Sequence, residues 1–131
     1  MADANRTSKP INRPLSPHLT IYRPQLTSIT SILVRITGNA LIFAAVLIIW
    51  WFVAAATGPV AFARADYVIT SWFGKLVMLG SLLALWYHLL GGLRHLIWDS
   101  GRMLDVQSSE RFGIFMLAGS VVLTVLTILV V

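Results

Sequence analysis

The stretch ITGNALIFAAVLIIWWFVAAA, residues 36–56, contains no Asp, Glu, Lys or Arg, and charge does not resume after Arg35 until Arg64. At about 1.5 Å of rise per residue, roughly 20 residues of helix cross a hydrocarbon layer of about 30 Å. Backbone N–H and C=O groups in that layer find no water, so an apolar run of this length has to close its own hydrogen bonds as a helix. Two further uncharged runs follow, one between Lys75 and Arg94 and one from Arg111 to Val131. Tyr67, Trp72, Phe73, Trp98 and Phe112 lie near the ends of these runs, where aromatic rings anchor helices at the membrane interface. The predicted fold is an all-α membrane protein with three transmembrane helices at about 28–56, 68–98 and 111–131. The first ends where Gly58 and Pro59 break it, and a cytoplasmic arm of residues 1–27 precedes it.

Composition agrees. Of 131 residues 57% are hydrophobic and 11% charged, with a mean hydropathy of +0.81, against roughly 45 to 50% apolar content in soluble domains. The absence of cysteine excludes disulfides, zinc knuckles, iron–sulfur ligation and thiolate chemistry within the chain, so a metal has to be held through histidine or carboxylate. The net charge of +5 comes from residues that flank the apolar runs, which points to membrane topology and not to nucleic acid.

Before the first span stand Arg6, Lys9, Arg13 and Arg23 against one acid, Asp3, whereas the segment after it carries Arg64 and Asp66. The positive-inside rule then places the N-terminus and residues 99–111 in the cytoplasm and the C-terminus outside. The first apolar run begins too late and runs too long for a signal peptide, and MADANRTSKP is not an acid-free, Arg-rich transit sequence, which favours a bacterial inner membrane. Pro10, Pro14, Pro17 and Pro24 rule out a long helix in the arm and predict an extended segment along the cytoplasmic face.

Histidine occurs only at His18, His88 and His95. The last two are seven residues apart, which on a helix returns to within about 20° of the same face. Ser81, Ala84, Gly92 and Asp99 extend that face as a small or polar stripe. Counting from Asp99 back to His88 (99 − 88 = 11 residues) puts the imidazole about 16 Å deep, near mid-membrane. An ionisable group at that depth needs protein, water or a cofactor beside it. One reading makes His88 an axial ligand of haem iron, with Gly91 and Gly92 leaving open surface for a flat macrocycle and with Arg94 and His95 pairing with the propionates. The other makes His88 an interhelical hydrogen-bond donor, the glycines close-packing positions, and Arg94 and His95 snorkelling groups. No histidine occurs in the first or third span, so a bis-histidine haem would take its second ligand from another subunit.

On the first helix, Ser28, Ser31, Arg35, Gly38 and Ile42 follow a three-four spacing, with Asn39 one turn beyond Arg35. Ser and Arg donors at membrane depth suit the two carbonyl oxygens of a quinone headgroup, and a guanidinium favours the negative charge that reduction places on them. Against this stands Arg35 as a plain topology charge.

The segments RPLSPHLTIYRPQL, SILVRITG and HLLGGLRHLIWD resemble the cytochrome b membrane-anchor subunits of succinate dehydrogenase, respiratory complex II, over about residues 13–99. The resemblance implies a heterotetramer of a flavoprotein that oxidises succinate, an iron–sulfur subunit and two small anchors that share a haem b and a ubiquinone site. It implies His88 as the haem axial ligand and Ser31 and Arg35 at the quinone, with Arg35 also reaching a propionate. Members of that family usually carry His before this arginine, where this chain has Val34. A reading of a different class is a small structural or transport-associated membrane subunit without a cofactor. A bound chromophore and co-purifying soluble subunits separate the two.

Overall fold

The computed structural model describes residues 21–131. The expected arm therefore lies largely outside the described residues, as do His18 and all prolines before Pro24. The described chain is helical almost throughout: α1 Leu26–Thr57, α2 Pro59–Thr70, α3 Trp72–Asp99 and α4 Val106–Val130. Three of these, α1, α3 and α4, are long and apolar enough to cross a membrane. At 32, 28 and 25 residues they run about 48, 42 and 38 Å, longer than the hydrocarbon layer, so their ends project into the interface or tilt.

The spans match the three uncharged runs, but the segment between the first two is an additional helix. Sequence reading started the second span near residue 68, whereas the chain turns a corner first. Gly58 takes φ +142°, a conformation open essentially to glycine alone, and its N–H bonds the Ala54 carbonyl to close α1. Pro59 then occupies the first position of α2, where its fixed φ suits a helix start and its missing N–H costs nothing. The second corner comes at Ser71, whose hydroxyl accepts from the Gly74 N–H at 3.1 Å and caps α3. Gly74 faces the carbonyls of Val68 and Ile69 so closely that no side chain fits there. On the other side of the bundle, the Asp105 carboxylate caps α4 by accepting from the Ser108 N–H at 2.8 Å.

α3 packs extensively against both α1 and α4, while α1 touches α4 less. Tyr87, Leu90 and Met116 form the core, flanked by Leu33, Val34, Phe112 and Leu123. The buried residues of α4 are Ser109, Gly113, Met116, Ser120 and Thr124, a stripe at three-four spacing in which all but Met116 are small and let helix backbones approach. At its far end Trp86 Nε1 donates to Thr127 Oγ1 at 3.0 Å, tying α3 to α4. Most of the large apolar side chains, such as Ile42, Phe43, Phe52 and Leu129, point outward. In water that surface would be untenable, but in a bilayer it is the face the lipid solvates.

Candidate functional site

Two consecutive residues of α3 reach across to α1 one helical turn apart. Tyr87 Oη donates to the Thr30 carbonyl at 3.0 Å, and His88 Nδ1 lies 3.0 Å from the Val34 carbonyl. A carbonyl can only accept, so this contact requires the proton on Nδ1, and in the neutral ring Nε2 then keeps its lone pair. Gly38 is what lets the ring lie there, since a Cβ at this position would fall 2.9 Å from Cε1 and 3.3 Å from Nδ1. Nε2 has no hydrogen-bond partner among the described residues, and it is not among the enclosed, partnerless atoms. Its lone pair therefore opens at the surface of the bundle.

The Gly38–His88 contact sets two stripes side by side. On α1, Ser31, Arg35 and Gly38 share a face by four- and three-residue steps, and on α3, His88, Gly92 and His95 do so. Ser31 is half-buried, while Arg35, Asn39 and His95 are exposed. Asn39 Nδ2 donates to the Arg35 carbonyl at 3.1 Å, and His95 stands edge-on to Trp98 with ring centroids 5.3 Å apart. Away from Arg35, the same side of α1 and α3 continues as an apolar groove of about 360 Å³ lined by Leu41, Ala45, Ser81 and Leu85 among others.

The two glycines read together from sequence do different things. A Cβ on Gly91 would lie 2.7 Å from Val34 Cγ2 and 3.2 Å from Met116 Cε, so Gly91 is a close-packing position between helices. Gly92 has nothing within 4 Å of its Cβ direction and leaves open surface one turn from His88. Val34, the departure from the family pattern, spends its side chain on the Gly91 contact and its carbonyl on His88.

Arg94 lies apart from His95. Six residues of helix rotate it about 120° away from His88, and it is 1% exposed, enclosed within the bundle. Nη1 donates to Thr30 Oγ1 at 3.0 Å, the guanidinium carbon lies 4.6 Å over the Trp98 ring, and Nε and Nη2 are enclosed without a partner among the described residues. Sequence reading grouped Arg94 with His95 as a propionate partner, whereas here only His95 reaches the outer edge. Thr30, with no exposed surface, and Gly38 as the seat of the histidine were not singled out from sequence. Nothing local separates Thr30 from Thr27, Ser28 or Ser31, and its role appears only once α3 and α4 are placed against it.

Among the described residues no three His, Cys, Asp or Glu side chains come together to hold a metal ion. A metal at His88 would have to bring most of its ligands with it, which is the donor chemistry of a macrocycle-bound iron. The chain's residues 9–127 match the family described as succinate dehydrogenase/fumarate reductase transmembrane subunit. It is 55% identical over 130 residues, 99% of this chain and 97% of the relative, to the succinate dehydrogenase cytochrome b556 subunit of Paracoccus denitrificans. Identity is 40% over 114 residues, 87% of this chain and 89% of the relative, to the b556 subunit of Rickettsia conorii. It is 39% over 127 residues, 91% and 90%, to the succinate dehydrogenase cytochrome b560 subunit of Marchantia polymorpha. With three apolar spans and a match along nearly its whole length, the chain belongs to the succinate dehydrogenase/fumarate reductase family of transmembrane subunits.

Proposed function

We propose that this chain is the haem b-bearing membrane anchor of a succinate:quinone oxidoreductase, in which His88 Nε2 is an axial ligand of the haem iron. The observation that carries the reading is the imidazole itself: set near the middle of α3, held with its proton on Nδ1 by the Val34 carbonyl, with its other nitrogen unpartnered among the described residues and not enclosed. A metal-binding histidine commonly donates its second nitrogen to a carbonyl, which fixes the ring and raises its basicity. The open surface at Gly92 and the groove beside Ser81 and Leu85 suit a flat apolar group.

Bound here, a haem supplies reversible one-electron storage between its ferric and ferrous forms. The protein's own part is to hold and tune. Exposed Arg35 and His95 sit at the edge where the propionates would lie. Ser31 donates to a ubiquinone oxygen, and Arg35 stabilises the charge that reduction places there. His95 lies two turns from His88 on the same helix, so a second protein ligand for the haem would come from a second anchor subunit that shares it. The remaining partners are an iron–sulfur subunit, which delivers electrons, and a flavoprotein, which carries the succinate chemistry that this chain lacks. The N-terminus faces the cytoplasm of a bacterial inner membrane and the C-terminus lies outside, by the basic residues before α1.

The test is purification of the intact complex in mild detergent through a tag on this chain, followed by a reduced-minus-oxidised spectrum. His88→Ala is expected to lose the alpha band while the soluble subunits still co-purify, and an unchanged band would remove the ligand assignment. Ser31→Ala and Arg35→Ala should lower quinone turnover while succinate oxidation by an artificial soluble acceptor stays near normal. The second reading, a cofactor-free structural subunit, draws on the bonds of Tyr87 and Arg94 to Thr30, which join helices without a ligand. It predicts no chromophore and no co-purifying soluble subunits.

A further inference from the structure

Near the end of α1 that carries Ser31 and Arg35, the Val34 carbonyl meets His88 Nδ1 and its side chain packs on Gly91, but the first turn of the helix is weakly capped among the described residues. Its N-cap, Gln25, makes no side-chain cap, no acid stands in the first turn, and its buried residues are Thr30, Ala44 and Ala54. In the stretch from Leu26 to Gly38, then, Thr30 alone is buried, and three contacts converge on it. Tyr87 Oη bonds its carbonyl, Arg94 Nη1 bonds its Oγ1, and Gly113 of α4 packs so close that a Cβ would lie 3.0 Å from Thr30 Cγ2. Arg94 is in turn stacked over Trp98, whose Nε1 donates to the Met103 carbonyl at 3.0 Å in the α3–α4 turn.

We propose that Arg94 and Thr30 form a positioning clamp that sets the rotation and depth of this end of α1, and with them the placement of Ser31 and Arg35 at the quinone. This rests on the quinone role proposed above for those two residues. Stability alone is a poor explanation for the arginine. A buried charge with Nε and Nη2 unpartnered among the described residues carries a desolvation cost, and apolar residues of similar volume often replace buried charged groups without loss. What a fixed, directional donor adds is registry: one geometry of α1 against α3 satisfies Nη1, and a slipped helix leaves a third donor bare. Thr30 and Arg94 are positioning residues that act through the backbone presenting Ser31, without contact to the quinone.

Because Arg94→Ala is prone to fail at assembly, the test uses Thr30→Val, which keeps the side-chain shape and removes the hydroxyl, both as acceptor for Arg94 Nη1 and as donor to the Thr27 carbonyl within α1 at 3.1 Å, with Thr30→Ser as the rescue. In the intact complex, Thr30→Val is expected to raise the KM for ubiquinone by about tenfold, equivalent to about 1.4 kcal/mol. Succinate oxidation by a soluble acceptor and the haem alpha band should stay unchanged, and Thr30→Ser should restore the KM. A wild-type KM in Thr30→Val overturns the clamp, as does loss of soluble-acceptor turnover and haem in parallel with quinone turnover. Ser31→Ala and Arg35→Ala, run alongside, separate the two failures. If they leave quinone kinetics untouched, the quinone reading itself falls. If they impair them while Thr30→Val does not, only the clamp falls.

Discussion

Gly38→Ala places one methyl group against the ring on which the proposed haem site depends. The new Cβ would stand 2.9 Å from His88 Cε1, whereas carbon atoms rest at about 3.5 to 4.0 Å, so the imidazole has to retreat by about 0.6 to 1.1 Å. The Val34 carbonyl lies one turn away on the same helix as the added methyl. A retreat from α1 therefore stretches the 3.0 Å contact of Nδ1 to about 3.6 Å or more, beyond hydrogen-bonding range. Overpacking of this kind costs roughly 1 to 3 kcal/mol, a weakening of haem retention of roughly 5- to 150-fold. Loss of the Nδ1–H bond makes the imidazole a poorer donor to iron, which destabilises the ferric form and raises the midpoint potential. The assay is the haem-to-flavin ratio, the low-temperature EPR spectrum and a potentiometric titration of the intact complex. Wild-type values for all three in Gly38→Ala would refute the seat, because a methyl tolerated there means that the ring is elsewhere when the haem is bound.

Other perturbations address the packing around that seat. Gly91→Ala drives a Cβ into Val34 and Met116 and should lower the thermal stability of the complex, whereas Gly92→Ala meets no atom of this chain and should leave helix packing intact, both read by melting in detergent. Equal effects would mean that the two glycines are not differentiated as described. Trp86→Phe and Thr127→Val each remove one partner of a 3.0 Å bond, and a double-mutant cycle is expected to return a coupling of about 0.5 to 1.5 kcal/mol. Asp105 caps α4 outside the spans. The backbone hydrogen bond from Ser108 holds its carboxyl below the ordinary value of 3.8, and the side-chain bond adds to this. A depressed folded-state value means that the cap's contribution is present above pH 3.8 and is lost as pH falls below it. Asp105→Asn should flatten that acid limb in a pH series of melting temperatures.

Three spans were readable from the sequence because charge exclusion is a property of composition along the chain, and a bilayer imposes it without regard to tertiary contacts. His88 was readable as a polar group for the same reason, since an imidazole within an apolar run stands out whatever it touches. α2 was not, because Arg64 and Asp66 make its segment resemble a loop. Only the corners at Gly58–Pro59 and Ser71 show that the chain restarts a helix there. Gly91 and Gly92 are identical as letters, and what separates them is a rotation of 100° that turns one toward Val34 and the other outward. Arg94 and His95 are neighbours in sequence, yet the same rotation buries one and exposes the other. What the sequence determined by itself was therefore everything set by the solvent: helices, spans and an unusual polar group at depth. What only the tertiary structure decided was which faces meet, because Gly38 seating His88 and Thr30 receiving Tyr87 and Arg94 are contacts between residues more than 45 positions apart (88 − 38 = 50, 87 − 30 = 57, 94 − 30 = 64), whose pairing depends on how whole helices pack.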